Sequence, residues 1–448
     1  MRKSVVCYFS FPFRRYVRVP KSLNLKEEEY VTGRQAVVEK CLKDNGIKYR
    51  QEHVPVIAVL GSGGGERAMV GLLGVLAQMG EDKLLDSITY LCGVSGCTWC
   101  MASLYEDPKW SVNVANYSLT DFWAATVVYY IIKEIDRHHL SEQEARDSTN
   151  PYPIYTAIDK GLKQDNQTAP CWFEITPHEA GYSLLGAYVD TSHFGSQFEA
   201  GKLKKAIKEE DMLYLQGLCG SAIADGMENI TEILQWIWDW IHSNMISFLL
   251  AGIFPFLKIL QKTIIAAHNW TWGTKFNFLY NITGSALCPE VEHIPAALLS
   301  DEKRDLIDAG ILLNSPCVAL LRPERKVDLI LFFDFSRDDP FLTVKKAADY
   351  CKEAGIPFPS VVIEPGEEKN PKDFYVFKDE TKAPIVIHIP LFNTVNCGEK
   401  IEEWRKRYKT FQDPYSKEMI EDLLLVSSRN VKNNKEKILN EIKAACAR

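Results

Sequence analysis

The stretch from Val54 to Trp99 constrains this chain more than any other, because it holds two consecutive strand-turn-helix units. Val54 to Leu60 is a nearly continuous apolar run rich in valine and isoleucine, the pattern of a strand buried on both faces. It stops at Gly61-Ser62-Gly63-Gly64-Gly65. Met69, Leu72, Leu73, Leu76 and Met79 then recur at helical spacing, and Gly71 and Gly74 are predicted to let that helix lie close to the sheet. The glycines therefore form a loop feeding a helix N-terminus. Such a loop points unpaired backbone N–H groups at the positive end of a helix dipole, where an anion or a developing oxyanion is held. A nucleotide phosphate is the first alternative occupant. A dinucleotide fingerprint, however, requires a third glycine at Glu66, and a P-loop requires a Gly-Lys pair that this stretch lacks.

The second unit runs as a strand from Ile88 to Cys92, turns at Gly93-Val94-Ser95-Gly96, and continues as a helix through Cys97, Trp99, Met101 and Leu104. This is the pattern of a nucleophile elbow, in which a serine sits on a strained turn that only small neighbours permit and its hydroxyl projects above the sheet edge. The usual spacing puts the second glycine where Cys97 stands; here it is Gly96. A GxSG string alone is common in ordinary loops. Paired with a triple-glycine loop after the preceding strand, it predicts an oxyanion hole beside a nucleophile.

These residues resemble the group IV cytosolic phospholipase A2 family, which shares the patatin-like acyl hydrolase core. GSGGGxRAMVG followed by GxSGxTW is that family's pairing, and the likeness extends through FEITPHEAGYSLLGAYVDTSHFGSQF, LIDAGILLNSP and LRPERKVDLILFFDFS. It is greatest to the gamma-type branch, since no calcium-binding C2 domain precedes the catalytic region. Glu66 stands where the family usually has an aromatic residue, and Cys97 replaces a serine in the elbow. The resemblance implies a three-layer α/β fold with a mixed central sheet, an inserted cap and a lid. It divides the chain into an N-terminal extension, 1–26, and a catalytic domain, 27–448, with the lid at about 228–265.

It also implies roles. Ser95 is the nucleophile, Asp308 in Leu306-Ile307-Asp308-Ala309-Gly310 is the base of a Ser-Asp dyad, and the N–H groups of Gly64 and Gly65 receive the oxyanion. Arg67 resembles the family arginine that holds the phospholipid phosphate, and Arg325 is a further electrostatic candidate. Substrates are phospholipids and lysophospholipids at a membrane surface, with no metal or cofactor required and calcium-independent turnover. A transacylase on the same site and a silent membrane adaptor are the alternatives. A free aspartate titrates near ~3.9, so Asp308 must be desolvated to serve as a base at neutral pH.

The rest of the chain sets limits. Mixed helical and strand signals without a break in composition favour one large α/β unit with insertions, and 46% hydrophobic residues suffice for its core. A formal charge of −7 argues against a nucleic-acid binder. Twelve scattered cysteines and the lack of a secretory signal predict reduced thiols and a cytoplasmic setting, with peripheral contact to intracellular membranes. Oligomeric state is not readable. Residues 1–26 are basic and aromatic, which suits a covering strand, a loose tail or a weak membrane-binding segment. None of the nine histidines sits in a motif that recommends it as a base; His178 and His193 read as structural. Glu228 to Leu260 is amphipathic and then apolar, broken at Gly252 and Pro255, and reads as an interfacial lid placing Trp236, Ile237, Trp240, Phe248 and Phe254 against lipid. Core packing and a true span or re-entrant segment are the competing readings.

Overall fold

The computed structural model describes residues 16–19, 22–50, 53–106, 138–145, 149–166, 170–220, 273–282, 294–379, 383–410 and 415–448. Trp236, Ile237, Trp240, Phe248 and Phe254, and with them the whole expected lid, lie outside the described residues. No described helix is long and apolar enough to cross a membrane.

The sheet is mixed. Its strands are β1 (Ile57–Gly61), β2 (Tyr90–Gly93), β3 (Tyr152–Asp159), β4 (Trp172–Ile175), β5 (Glu179–Tyr182), β6 (Ala187–Asp190), β9 (Gly273–Phe276), β10 (Lys303–Asp308), β11 (Leu329–Asp334), β12 (Tyr375–Phe377) and β13 (Ile385–Pro390). A separate hairpin holds β7 (Gln197–Glu199) and β8 (Lys202–Lys205). The order is β12-β13-β11-β1-β2-β3-β4-β5-β6, with β10 pairing β3 and β9. β13, β11, β1, β2 and β3 are parallel to one another, and the outer strands are antiparallel. β1 and β2 are buried throughout, as their unbroken apolar runs require.

The longer helices are α1 (Leu25–Asp44), α2 (Glu66–Glu81), α3 (Gly96–Glu106), α4 (Met212–Gly220), α5 (Leu342–Glu353), α6 (Lys417–Lys432) and α7 (Lys435–Ala447). Three layers follow from the strand order. The connections β1-α2-β2 and β2-α3-β3 step one way along the sheet, whereas β11-α5-β13 steps the other way. With right-handed crossovers, α5 covers the opposite face. Side chains agree: Gly93 of β2 faces Met101 of α3, while its neighbour Cys92 donates to the Pro316 carbonyl, on the other side. The order reverses at β1, between β2 and β11, and at such a switch point the loops leaving the strand ends part to leave a crevice. The parallel strands reach it in register, Gly61 beside both Gly93 and Phe333.

α1 begins where Asn24 caps it, its side chain accepting from the Lys26 N–H, and ends at Asn45 before Gly46. The expected boundary at 26/27 thus falls inside this helix. Residues 16–19 of the N-terminal extension meet the sheet through isolated bridges: Arg18 exchanges backbone hydrogen bonds with Tyr188 of β6, and its guanidinium pairs with Glu179. One close-packing glycine acts otherwise than its spacing suggests. Gly71 lies against the Phe335 ring just beyond the sheet, but Gly74 faces Leu424 and Ser427, so it admits α6 rather than a strand.

Candidate active site

Ser95 lies between the end of β2 and the start of α3, with φ at +53°, in the left-handed region that non-glycine residues rarely adopt. The strain is maintained by what surrounds it. A side chain on Gly96 would overlap the Gly65 carbonyl, so the elbow and the glycine loop touch backbone to backbone. That contact explains why the second glycine follows the serine directly. The Cys97 thiol, fully buried, donates to the Ser62 carbonyl at 3.1 Å, fastening the base of α3 to the same loop.

The loop is held at each residue. Ser62 Oγ donates to Asp334 Oδ1 at 3.0 Å and accepts from the Phe335 N–H at 2.7 Å, joining the ends of β1 and β11. Gly63 is gripped on both sides of its backbone by Asn314, whose Oδ1 accepts from the Gly63 N–H at 2.8 Å and whose Nδ2 donates to the Gly63 carbonyl at 3.2 Å. A Cβ on Gly63 would stand 2.7 Å from Ser95 Cβ. Gly64 and Gly65 adopt φ of +151° and +59°, which glycine tolerates without a Cβ penalty. Their N–H groups donate to nothing among the described residues, at the head of a helix of 16 residues.

Asp308 ends β10 and is 1% exposed. Its Oδ1 accepts from the Gly310 N–H at 2.8 Å. Oδ2 is buried and makes no hydrogen bond among the described residues. Burial pushes the carboxyl up to about 6, against the opposing pull of the Ser95 hydroxyl and the Gly310 N–H. Two histidines of the described residues lie in other surroundings. His178 meets Tyr152 Oη at 2.9 Å, and burial lowers it to about 4; His193 lies by Ser192 and Asp190.

The model of the lysophospholipase catalytic domain matches residues 57–114 and 107–348 of this chain. Cytosolic phospholipase A2 gamma of Homo sapiens is 34% identical over 95% of the chain and 96% of that protein, and the Mus musculus counterpart is 34% identical over 89% and 87%. The chain belongs to the cytosolic phospholipase A2 family. It is an enzyme of the phospholipase class. The solved structure of human GIVD cytosolic phospholipase A2, 24% identical, superimposes with a TM-score of 0.76 over 98% of this chain and 67% of that one, and shares the fold.

Two arginines of this phospholipase stand differently from the sequence expectation. Arg325 cannot reach a headgroup. It is fully buried, bonds Glu27 and Glu174, and stacks on Tyr90 at the N-terminal end of β2, while Ser95 follows the C-terminal end. Arg67 is 2% exposed. Its Nε donates to the Phe335 carbonyl at 2.7 Å and its Nη1 to the Tyr408 carbonyl at 2.6 Å. Glu66, the family's departure, accepts from the Tyr415 N–H with both oxygens at 3.2 and 3.1 Å, and burial raises it to about 7. Asn314 was not singled out from the sequence; a side chain with a donor and an acceptor shortly after the Asp308 motif is the signal that marks it. No cluster of three or more His, Cys, Asp or Glu side chains suited to a metal occurs among the described residues.

Proposed function

We propose that this phospholipase cleaves fatty-acyl esters of phospholipids and lysophospholipids through a Ser95–Asp308 dyad, working from the cytoplasm at membrane surfaces. Ser95 Oγ attacks the ester carbonyl as Asp308 Oδ2 takes its proton. The tetrahedral oxyanion forms between the N–H groups of Gly64 and Gly65, each donor of this kind typically contributing roughly 3 kcal/mol. Asp308 then protonates the departing alkoxide, leaving an acyl-serine. Water attacks the acyl carbon as Asp308 takes its proton, and Asp308 returns that proton to Ser95 Oγ as the fatty acid leaves, restoring both groups.

The observation that carries this reading is one constellation: a serine in a strained elbow and, among the described residues, a buried carboxylate oxygen without a hydrogen-bond partner and two unpaired glycine N–H groups. Burial supplies the base strength that an ordinary aspartate lacks, since about 6 suits proton transfer near neutral pH. A fluorophosphonate is the direct test. It should label the wild-type protein at Ser95 and leave Ser95→Ala unlabelled, and phospholipid turnover should vanish in the same variant. Labelling of Ser95→Ala at an unchanged rate would overturn the proposal. No step is placed on a metal, so turnover on vesicles should be the same in a calcium chelator.

A further inference from the structure

Arg67 was expected to hold a substrate phosphate, yet its guanidinium lies behind the glycine loop rather than in front of it. Nε and Nη1 are engaged by carbonyls of Phe335 and Tyr408, and both η nitrogens are 3.4 Å from Thr410 Oγ1. Among the described residues no carboxylate lies within 4 Å of it, so this buried cation is solvated by carbonyl and hydroxyl oxygens. Its Nη2 is 2.7 Å, and its Cζ 3.3 Å, from where a Cβ on Gly64 would stand. The guanidinium is thus the surface on which the Gly64 backbone rests.

The same side chain joins three segments that sequence keeps apart. Its own backbone opens α2, Phe335 follows β11, and Tyr408 and Thr410 come from the segment leading toward α6. Gly65 touches that last segment too, since a Cβ there would lie 3.5 Å from the Thr410 carbonyl. A lipid phosphate would have to displace carbonyls already bonded to the planar fork, and the head of α2 would lose its anchor.

We infer that Arg67 is a positioning residue: it fixes Gly64 so that the oxyanion donors keep their aim, and it sets a buried positive charge behind them. This rests on the oxyanion role of Gly64 and Gly65 proposed above. A charge in that place favours a developing oxyanion whether or not the substrate carries a phosphate.

The two roles separate on a substrate without phosphate. Arg67→Lys and Arg67→Met are assayed as full-length protein on p-nitrophenyl butyrate and on lysophosphatidylcholine, with fluorophosphonate inactivation measured alongside. Positioning predicts that kcat falls at least ~10-fold on both substrates by a similar factor, that KM for the soluble ester is unchanged, and that inactivation slows in parallel. Turnover of the soluble ester at the wild-type rate, with loss confined to the phospholipid, would overturn it in favour of headgroup binding. Unchanged rates on both would overturn it as well. If Arg67→Met does not fold, Arg67→Lys carries the comparison, its fold checked by near-ultraviolet circular dichroism, because one ammonium keeps the charge but cannot span both carbonyls. Failure of the dyad reading looks different: the wild-type protein itself would resist the fluorophosphonate.

Discussion

Asp308→Asn should remove activity and stabilise the fold at the same time. The carboxyl is fully buried, held up at about 6 against an ordinary value of 3.8, with Oδ2 lacking a partner among the described residues. Between those values the folded protein keeps a proton that the unfolded chain has released. The stabilising contribution is therefore present on the acid side and lost as pH rises from about 4 to about 6. Above that, the folded state carries the full penalty of an ionised, desolvated group. A shift of about two units corresponds to about 3 kcal/mol. Asparagine can keep the bond from the Gly310 N–H through its own oxygen, and its amide never ionises. Denaturant unfolding at pH 4 and pH 8 should show the variant gaining up to about 3 kcal/mol on the wild type between the two. Its kcat/KM should fall roughly 10³-fold, because an amide accepts no proton from Ser95. In the wild type, kcat/KM should climb with pH to a midpoint near 6 and then level. The reasoning is refuted if the variant is less stable at pH 8 by the same amount as at pH 4, or if it turns over substrate at a rate near that of the wild type.

Three further outcomes are expected. Gly96→Ala places a Cβ into the Gly65 carbonyl, so the glycine loop must shift; ester turnover should drop at least ~100-fold, and normal activity would mean that the loop and elbow do not need to touch. Glu66→Gln should gain stability relative to wild type as pH rises from about 5 to 7, since the carboxyl's raised value of about 7 makes its ionisation costly in the folded state. Allowing for its residual exposure, about 1 kcal/mol should appear in thermal or denaturant melts, and no difference across that range would remove Glu66 as a titrating group. His178→Gln should keep activity within about threefold of wild type, because the ring is held neutral against Tyr152 in the sheet; near-complete loss in a folded variant would point to a histidine base.

What the chain reveals on its own is what depends on neighbours in sequence. The strand-glycine-helix units were legible because hydrophobic period, glycine freedom and a turn-borne serine are local properties, and β1, β2, α2 and α3 stand where those patterns put them. The Ser95 elbow was legible from the residues, whereas Asp308 was singled out only through resemblance; by residue type alone an aspartate is most often a solvated surface group. Only the fold decided the electrostatics. Arg67 and Arg325 are both buried guanidiniums, one on backbone carbonyls behind the glycine loop and the other on Glu27 and Glu174 at the far end of β2. Asn314 was not singled out from the sequence, and the fold brings it onto both sides of Gly63. Gly74 looked like a contact with the sheet, and α6, from near the end of the chain, took that place. Periodicity reports which face of an element is covered, whereas a hydrogen bond or a pKa depends on what covers it, and that is settled only when distant segments close around the site.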